Sequence, residues 1–427
     1  MVFLVLWFSQ AVSVVGTGLT TFALGVWVYQ ETGSVTQFAL MSVLSSAPLV
    51  FLSPLAGTLV DRWDRRYTML AADLVTAAAV AGLYALHVTG GLAIWHVYVA
   101  SAVAALAGAF HWPAYAAAST LMVPKHHLTR AAGMAELARA ASVAISPLLG
   151  GALVVGAGLG PVLLVDCATF AFAAACLLGM RVPNPAPRPH GSLLADVRVG
   201  WRYLSERPGL LRLLTQFAMM NLLCSFVPVL VVPLVLSLTT PDHLGLTVSL
   251  ATAGFLAGGV LMTAWGGPAR RVRAIVLCGM GIGCALLAAG ARPSVVLTVA
   301  GLFAFHFLVP VVNACSQAIW QLKIPPELQG RAFAIRRMLA QASTPVGYLL
   351  AGPLADHVFI PLLRADGALS TTAGAVVGVG PQRGLGLLFV VLGVACVAGN
   401  LIALRSRSLM SVEHDLPDAV RPALQST

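Results

Sequence analysis

The sequence predicts an all-α membrane protein of twelve transmembrane helices in two parallel six-helix bundles, and three observations lead to that fold class. Of the 427 residues, 59% are hydrophobic and 9% are charged, whereas a soluble domain carries about 25% charged residues. Apolar runs long enough to cross a bilayer recur along the chain. The longest polar connection, residues 181–212, leaves six such runs on either side.

A helix needs about 20 mainly apolar residues to cross the hydrocarbon core of a bilayer. Runs of this kind predict twelve spans, which we number in chain order. They lie at 3–29, 36–60, 67–88, 94–121, 131–157, 160–181, 212–238, 245–266, 273–291, 294–320, 332–355 and 384–404. The first run has no basic start and continues close to Gln30, so we interpret it as a retained span rather than a cleaved signal.

The polar connection predicts how the chain is divided. We expect an N-terminal bundle at 1–182, a cytoplasmic linker at 183–211, a C-terminal bundle at 212–405 and a cytoplasmic tail at 406–427. The apolar residues of the linker recur at helical spacing, which is typical of a helix lying in the membrane interface. These residues are Leu193, Leu194, Val197, Trp201 and Leu204.

The distribution of basic residues predicts the orientation. Nearly all of the 25 lysines and arginines fall on the side that holds both termini, and the exceptions are Arg292, Arg364 and Arg383. The majority includes Arg139 and Arg336, which we place in the first turns of spans 5 and 11. Basic residues concentrate on the cytoplasmic side. We therefore expect both termini in the cytoplasm. We also expect the basic residues behind the net charge of +10 to lie beside anionic lipid headgroups rather than to bind nucleic acid.

The stretch GTLVDRWDRR, between spans 2 and 3, concentrates charge in an apolar chain. Its pattern G-x-L-x-D-R-x-x-R-R resembles the signature loop of the major facilitator superfamily. The matching positions are Gly57, Leu59, Asp61, Arg62, Arg65 and Arg66. The resemblance implies a conformational switch in which Asp61 faces the start of span 11 near Gly330 and Arg331. A helix N-terminus stabilises a carboxylate. The chain has Asp64 where the family often has glycine.

Span 5 carries a second pattern of small residues around a proline. Its members are Gly133, Ser142, Ser146, Pro147, Gly150 and Gly151. The spacing resembles the helix-5 motif of the drug–proton antiporter branch, with serine in place of two glycines. Small residues permit close helix contact and the proline bends the helix. Ordinary small-residue packing is the alternative interpretation.

Over its full length the chain resembles the macrolide- and siderophore-exporting (enterobactin-type) members of that branch. Segments such as FHWPAYAAASTLMVPKHHLTRAAGM and GVGPQRGLGLL carry the likeness. The chain departs from many relatives because span 1 has no aspartate and span 4 has no arginine.

Ionisable groups inside spans cost about 3 kcal/mol or more, so each of them is a functional hypothesis. The proton-coupling candidates are Asp73, Glu136, Arg139 and Asp166. Glu136 and Arg139 are three residues apart and can pair on one helix face, either for coupling or as an internal salt bridge. Asp166 also fits a structural role, Asp356 fits an interfacial cap, and His111 fits a packing residue.

Polar and aromatic residues in spans 1, 4, 7 and 10 predict a substrate cavity that is apolar and lightly polar. Its candidate residues are Trp27, Trp112, Tyr115, Asn221, His306, Phe307, Asn313 and Gln317. Such a pocket suits a bulky amphipathic molecule.

The resemblance implies a monomeric secondary transporter of the bacterial inner membrane that exports a drug, antibiotic or secreted metabolite by alternating access, coupled to protons. A siderophore or lysophospholipid transporter of the same fold, or a membrane receptor or scaffold, are the alternatives. The sequence has no P-loop, H-E-x-x-H or nucleophile elbow, and its seven cysteines lack metal-site spacing. We therefore expect neither enzyme activity nor a cofactor or metal.

Overall fold

The computed structural model describes residues 2–60, 63–123, 128–180, 201–380 and 382–416, except for the side chains of 53–54, 57–58, 120, 128–130, 132, 326–334 and 337. This part of the chain is helical and contains no strand. Its long helices, labelled α1 to α12, are Val2–Thr32, Val35–Val60, Arg65–Val88, Ile94–Met122, Leu128–Ala157, Leu159–Gly179, Pro208–Leu236, Pro241–Trp265, Arg271–Ala291, Val295–Lys323, Pro326–Pro353 and Arg383–Arg405.

The helices agree with the predicted membrane fold. Of the helices described, eleven are long and apolar enough to cross a membrane, and α11 is the remaining long helix. The placement of Arg139 and Arg336 in first helical turns is wrong, because they are the twelfth residue of α5 and the eleventh of α11. Both helices begin earlier than predicted, so both arginines lie about three turns inside.

The packing of the first six helices recurs in the last six. In the first six helices, α1 packs on α5 and α6, α2 packs on α4, and α3 packs on α4 and α6. In the last six, α7 packs on α11 and α12, α8 packs on α10, and α9 packs on α10 and α12. Two crossings, α2 with α11 and α5 with α8, join the two groups. The two crossings are equivalent: α2 corresponds to α8 and α11 to α5 when each helix is matched with the one six places away. This equivalence is expected for parallel repeats. The linker boundaries stay a prediction, because 181–200 lie outside the described residues.

Most successive long helices are joined by short connections that reverse the chain, so the bundle has two ends. We call the end that holds residue 2, the α2–α3 connection and residues 405–416 the near end, and the opposite end the far end. At the far end α11 continues into a π-helical turn, Leu354–Phe359. The segment from there to α12 buries Leu363 and Val377 in a small apolar cluster.

Residues 407–416, part of the predicted tail, pack against the near end of the last six helices. The Glu413 carboxylate accepts hydrogen bonds from the Arg271 and Val272 backbone N–H groups, each 3.0 Å long, and so caps α9. The Lys323 ammonium, at the end of α10, donates to the carbonyl oxygens of Glu413 and Leu416 at 2.6 and 2.5 Å. This segment therefore ties α9 to α10.

Both crossings depend on a close approach of backbones. A Cβ atom on Gly245 would lie 2.4 Å from the Pro147 carbonyl oxygen, and one on Gly352 would lie 2.5 Å from the Thr36 Cα. Gly151 faces Gly245 at the same crossing. Side chains at these positions would push the two halves of the molecule apart, and small residues at helix contacts prevent this.

We expect Gly245→Ala to destabilise the protein by about 1–3 kcal/mol, because the added methyl group has no space against the Pro147 carbonyl. The midpoint of thermal unfolding in detergent measures this. Gly259→Ala is the matched control, since a Cβ at Gly259 of the same helix meets nothing within 4 Å. Equal midpoints for the two variants would contradict the close crossing.

Candidate functional site

Asp73 of α3 and His111 of α4 form a buried pair. His111 Nε2 lies 3.3 Å from Asp73 Oδ1, and the side chains are 19% and 5% exposed, respectively. The distance permits an ion pair, although the groups are not aligned as a hydrogen bond. Gln10 of α1 lies beside the same carboxylate. From the sequence alone Asp73 is a candidate for coupling and His111 fits a packing residue, because nothing in the sequence relates the two positions.

Asp166 is completely buried in α6 against α1. Thr169 donates a hydrogen bond to the Asp166 backbone carbonyl at 2.8 Å, and Thr17 and Thr20 of α1 lie beside the carboxylate. A Cβ on Gly16 would lie 2.9 Å from Asp166 Oδ1. No basic group among the described residues lies within ion-pair distance of it.

Glu136 and Arg139 form the predicted pair on α5. The Arg139 Nε and Nη2 atoms donate to Glu136 Oε2 at 3.0 and 2.9 Å. The side chains are 61% and 48% exposed, and the Arg139 guanidinium also lies 5.2 Å from the ring centroid of Phe255 on α8. The pair therefore lies beside the α5–α8 crossing, apart from Asp73.

The serines of the helix-5 motif bind α1. Ser142 donates to the Val14 carbonyl at 3.0 Å and Ser146 to the Val15 carbonyl at 3.2 Å. A Cβ on Gly18 of α1 would lie 2.3 Å from Ser146 Oγ. The two serines therefore stand where the motif has glycine without separating α5 from α1, because Gly18 of α1 has no side chain and leaves room for them.

The rest of the motif serves the α5–α8 crossing. Pro147 has no N–H, so the Val143 carbonyl lacks its helical donor. The Thr252 hydroxyl of α8 lies 3.2 Å from that carbonyl. Gly151 lies at the crossing itself and Gly150 packs on α1, whereas a Cβ at Gly133 meets nothing within 4 Å. Five members of the motif thus contact other helices.

Most of the predicted switch loop lies outside the described residues. Asp61 and Arg62, and the side-chain surroundings of Gly57, Gly330 and Arg331, belong to that part. Of the described members, Arg65 is 9% exposed. Arg66 donates to the carbonyls of Leu177, at 2.8 Å, and Leu178 at the end of α6.

The structure explains why the chain has Asp64 where the signature loop often has glycine. Its carboxylate accepts hydrogen bonds from the backbone N–H groups of Arg66 at 2.9 Å and Tyr67 at 3.3 Å. Asp64 is therefore the N-cap of α3, and a carboxylate suits this position because it satisfies N–H groups that have no helical partner.

Helices α7, α10 and α11 form a polar wall in the second half of the molecule. Asn313 and Gln317 are exposed on one face of α10, and Asn221 of α7 donates to the Ala340 carbonyl of α11 at 3.0 Å. Amides inside a span normally face a water-filled cavity or the bundle interior rather than lipid. The three predicted cavity residues therefore lie on two helices, α7 and α10, whose amides Asn221 and Gln317 both contact α11.

Arg336 is a member of this wall that the sequence analysis missed. Its guanidinium donates to Gln317 Oε1 at 2.7 Å and to Ser316 Oγ at 3.2 Å. It also lies 5.2 Å from the ring centroid of Trp320 and 5.7 Å from that of Phe217. From the sequence alone Arg336 is only a topology signal, because the predicted start of span 11 lies too late in the chain.

The other predicted cavity residues lie elsewhere. His306 Nδ1 lies 2.7 Å from the Leu302 carbonyl of its own helix, and the Phe307 backbone packs against Gly258 of α8. Trp27 packs on an apolar cluster of the first six helices. Tyr115 is buried, and its ring centroid lies 5.9 Å from that of Trp112, which is 37% exposed.

An apolar groove of about 830 Å³ runs between the near-end parts of α3 and α4. Trp63, Tyr67, Ala72, Leu106 and Phe110 are among its lining residues. The rings of Trp63 and Phe110 stack across it with centroids 5.9 Å apart. Asp73 and His111 each follow a lining residue in the chain and are not themselves among the lining residues.

At the far end, Asp356 caps a helix of the opposite half. Its carboxylate accepts hydrogen bonds from the Val35 and Thr36 N–H groups at 3.1 and 2.8 Å and from the Ser34 hydroxyl at 2.7 Å. Ser34 Oγ in turn accepts from the Gln37 N–H at 3.3 Å. The first three N–H groups of α2 are thereby satisfied, which a helix start requires.

A second far-end contact also joins the halves, from the Tyr29 hydroxyl to Gln382 Oε1 at 2.7 Å. Between described residues, all hydrogen bonds across the two halves lie at the far end, apart from the one from Thr252 to Val143 on the α5–α8 crossing. The far end is therefore closed in this structure. No group of described residues could hold a metal ion.

We expect Asp356→Ala to shift the conformational equilibrium toward an open far end by about five-fold. A lost helix cap costs about 1 kcal/mol, and only the closed state has this cap. Spin labels at Glu31 and Arg364 in a cysteine-free protein would measure the distance between the halves. Asp366→Ala, an exposed residue of the same far-end segment, is the control, and an unchanged distance distribution in Asp356→Ala would contradict the role of the cap.

Several proteins of known structure share this fold. A bacterial homologue of the human lysosomal transporter Spinster, in an inward-facing and unoccupied conformation, aligns over 96% of this chain and 97% of its own with a TM-score of 0.68 and 14% identity. A peptide transporter in complex with alafosfalin aligns over 96% and 94% with a TM-score of 0.73 and 10% identity. At such identities the likeness establishes the fold alone.

Proteins with curated functions are more similar in sequence. Macrolide efflux protein A of Streptococcus pyogenes is 27% identical over 372 residues, which are 83% of this chain and 90% of the relative. Multidrug efflux pump Tap of Mycobacterium tuberculosis is 27% identical over 374 residues, 83% of this chain and 87% of the relative. The sequence profile of the Major Facilitator Superfamily matches residues 6–348. Because that match covers well over half of the chain, the protein belongs to the major facilitator superfamily.

Proposed function

We propose that this protein exports hydrophobic or amphipathic small molecules across the bacterial cytoplasmic membrane by alternating access, in exchange for protons. The observation that carries the proposal is the similarity to macrolide and multidrug efflux proteins over 83% of the chain. In this proposal the protein acts as a monomer and as a transporter rather than an enzyme. The near end and both termini lie in the cytoplasm, because most basic residues lie there.

The contacts between the halves support alternating access. The far end is held by the Asp356 cap and the Tyr29–Gln382 hydrogen bond, and water can replace each of these when the halves separate. The near end would close instead through Asp61, which we expect to meet the start of α11. Carboxylates at opposite ends of the α2–α11 pair would thus each stabilise one of the two states.

The polar wall of α7, α10 and α11 suits an amphipathic cargo. Asn221, Gln317 and Arg336 provide a few hydrogen-bonding groups, while Phe217 and Trp320 provide apolar surface. Pockets for bulky ligands combine a mainly apolar lining with few polar groups in this way. We therefore assign the cargo site to the side of the cavity formed by the second half.

The Asp73–His111 pair suits proton coupling. It is buried in the first half, away from the cargo wall, and the Asp73 carboxylate beside His111 can take up one additional proton there. Glu136, Arg139 and Asp166 are the other candidates for coupling. Proton influx at such a site would supply the energy for export.

We expect cells that produce the protein to accumulate less of some compounds in a panel of dyes and macrolides, because export lowers their steady-state level. A proton uncoupler should remove the difference. The measurement is intracellular fluorescence or radiolabel against cells without the protein. If no compound differs between the two strains, export is the wrong function.

We expect Asp73→Asn to abolish proton-driven export while the protein still inserts and folds, because the amide cannot bind the coupling proton. Export in the accumulation assay and the thermal unfolding midpoint of purified protein are the two measurements. Asp242→Asn, an exposed carboxylate at the start of α8, should behave as wild type. Normal export by Asp73→Asn would remove this residue from the mechanism.

A further inference from the structure

Buried polar atoms without a hydrogen-bond partner concentrate around one face of α1. Half of the unpartnered side-chain atoms in the described residues lie on this face, in Asp166 beside it, or in the Asp73–His111 pair that Gln10 adjoins. They are Gln10 Nε2, Thr20 Oγ1, Asp73 Oδ2, His111 Nε2 and Asp166 Oδ2. An unsatisfied buried group is costly, and an ordered water is a common reason that it persists.

The face itself is a polar stripe, which we call the α1 seam. It consists of Gln10, Ser13, Thr17 and Thr20, at intervals of three and four residues, so the side chains lie on one side of the helix. Gln10, Ser13 and Thr20 are only 4–6% exposed. Successive members are about 4.5–6 Å apart along the helix axis, by a rise of 1.5 Å per residue, and a water molecule can bridge polar groups at such a spacing.

The two ends of the seam meet the two buried carboxylates of the first half. Gln10 lies beside Asp73, and Thr17 and Thr20 lie beside Asp166. Asp73 is about 12 Å from the near-end start of α3, and Asp166 is about 10 Å from the far-end start of α6, by the same rise per residue. The seam therefore joins a carboxylate in the near-end part of the first half to one in its far-end part, over about 15 Å of α1.

The second half of the molecule serves as an internal comparison. Gln216 is the ninth residue of α7, as Gln10 is the ninth residue of α1. Gln216 Nε2 donates to Asn400 Oδ1 at 3.0 Å, and Asn400 Nδ2 donates to the Cys396 carbonyl at 2.8 Å. The equivalent position is thus satisfied by a neutral amide pair. Among the described residues, the buried ionisable side-chain atoms without a hydrogen-bond partner all belong to the first half.

We propose that the α1 seam holds a row of ordered waters, and that Asp166 is a second proton-binding site connected through this row to Asp73 and His111. The proposal rests on the proton coupling put forward above and extends it to a route. A proton from the far side binds the Asp166 carboxylate. It passes along waters and hydroxyl groups, each accepting one proton and releasing one, and reaches Asp73. Release to the near side restores both carboxylates.

The surroundings of both carboxylates suit this role. Asp166 faces Thr17 and Thr20 from α1 and has Cys167 and Thr169 on its own helix, while His87 of α3 packs about a turn and a half away, beside Gly160. No ion-pair partner among the described residues holds Asp166 in its charged form. Asp73 faces His111 from α4 and Gln10 from α1.

Infrared difference spectroscopy on the purified protein tests the site without any cargo. Protonated buried carboxyl groups have a C=O stretching band of their own, and a titration between about pH 4 and 9 covers their range. We expect two titrating bands in the wild type, one missing in Asp73→Asn and the other in Asp166→Asn. If Asp166→Asn changes no titrating band, the second proton site is wrong.

Proteoliposomes with an internal pH dye test the route, with ethidium and a macrolide as cargo. We expect Asp166→Asn and Thr20→Val to lose proton movement coupled to cargo while downhill cargo movement continues, and Asp166→Glu to retain the coupling. Ser9→Ala is the matched control, because Ser9 is a buried hydroxyl of α1 bonded to the Leu6 carbonyl.

The outcomes separate this inference from the proposed function. If Asp73→Asn uncouples transport and Asp166→Asn does not, proton-driven export stands and the seam is wrong. Equal loss of downhill transport and thermal stability in Asp166→Asn, without rescue by Asp166→Glu, would assign Asp166 a structural role only. If Thr20→Val keeps full coupling, the route along α1 is overturned.

Discussion

The cap that Asp356 places on the start of α2 is the interaction on which the closed far end depends. Helices in lipid gain little from burying apolar surface against each other, so packing and hydrogen bonds must hold them together. The α2 start has N–H groups that require partners, and the partner for two of them comes from the other half of the molecule. The start of α2 is therefore capped by Asp356 at the same moment as the far end closes.

The glycines at the two crossings make that cap geometrically possible. Gly352 brings α11 against Thr36, one turn of helix before Asp356. Gly151 and Gly245 bring α5 against α8 on the other side of the pseudo-twofold axis. Because these contacts involve backbone atoms rather than interlocked side chains, the halves can separate without repacking their interiors. Rocking of rigid halves about a central site needs this kind of interface.

The two halves share one helix arrangement but carry different chemistry. The first half encloses the Asp73–His111 pair and Asp166, which has no ion-pair partner among the described residues. At the corresponding α7 position the second half encloses the satisfied Gln216–Asn400 pair, and its polar wall contains Asn313, Gln317 and Arg336. In the proposed mechanism protons use the first half and cargo mainly uses the second. Movement of one half against the other is then the link between them.

The sequence by itself determined the fold class, the positions of nearly all spans and the groups whose presence in a membrane needs a reason, such as Asp73, Asp166 and Asn313. Hydropathy and length suffice for this, because the cost of a polar group in lipid is large and local. The Glu136–Arg139 pair was also predictable, since both residues lie on one helix. Only the tertiary structure decided that His111 meets Asp73, that Arg336 binds Gln317 of α10 and that Asp356 caps α2. These contacts join different helices, and the rotation of each helix about its axis is set by packing against its neighbours, which one sequence does not encode locally.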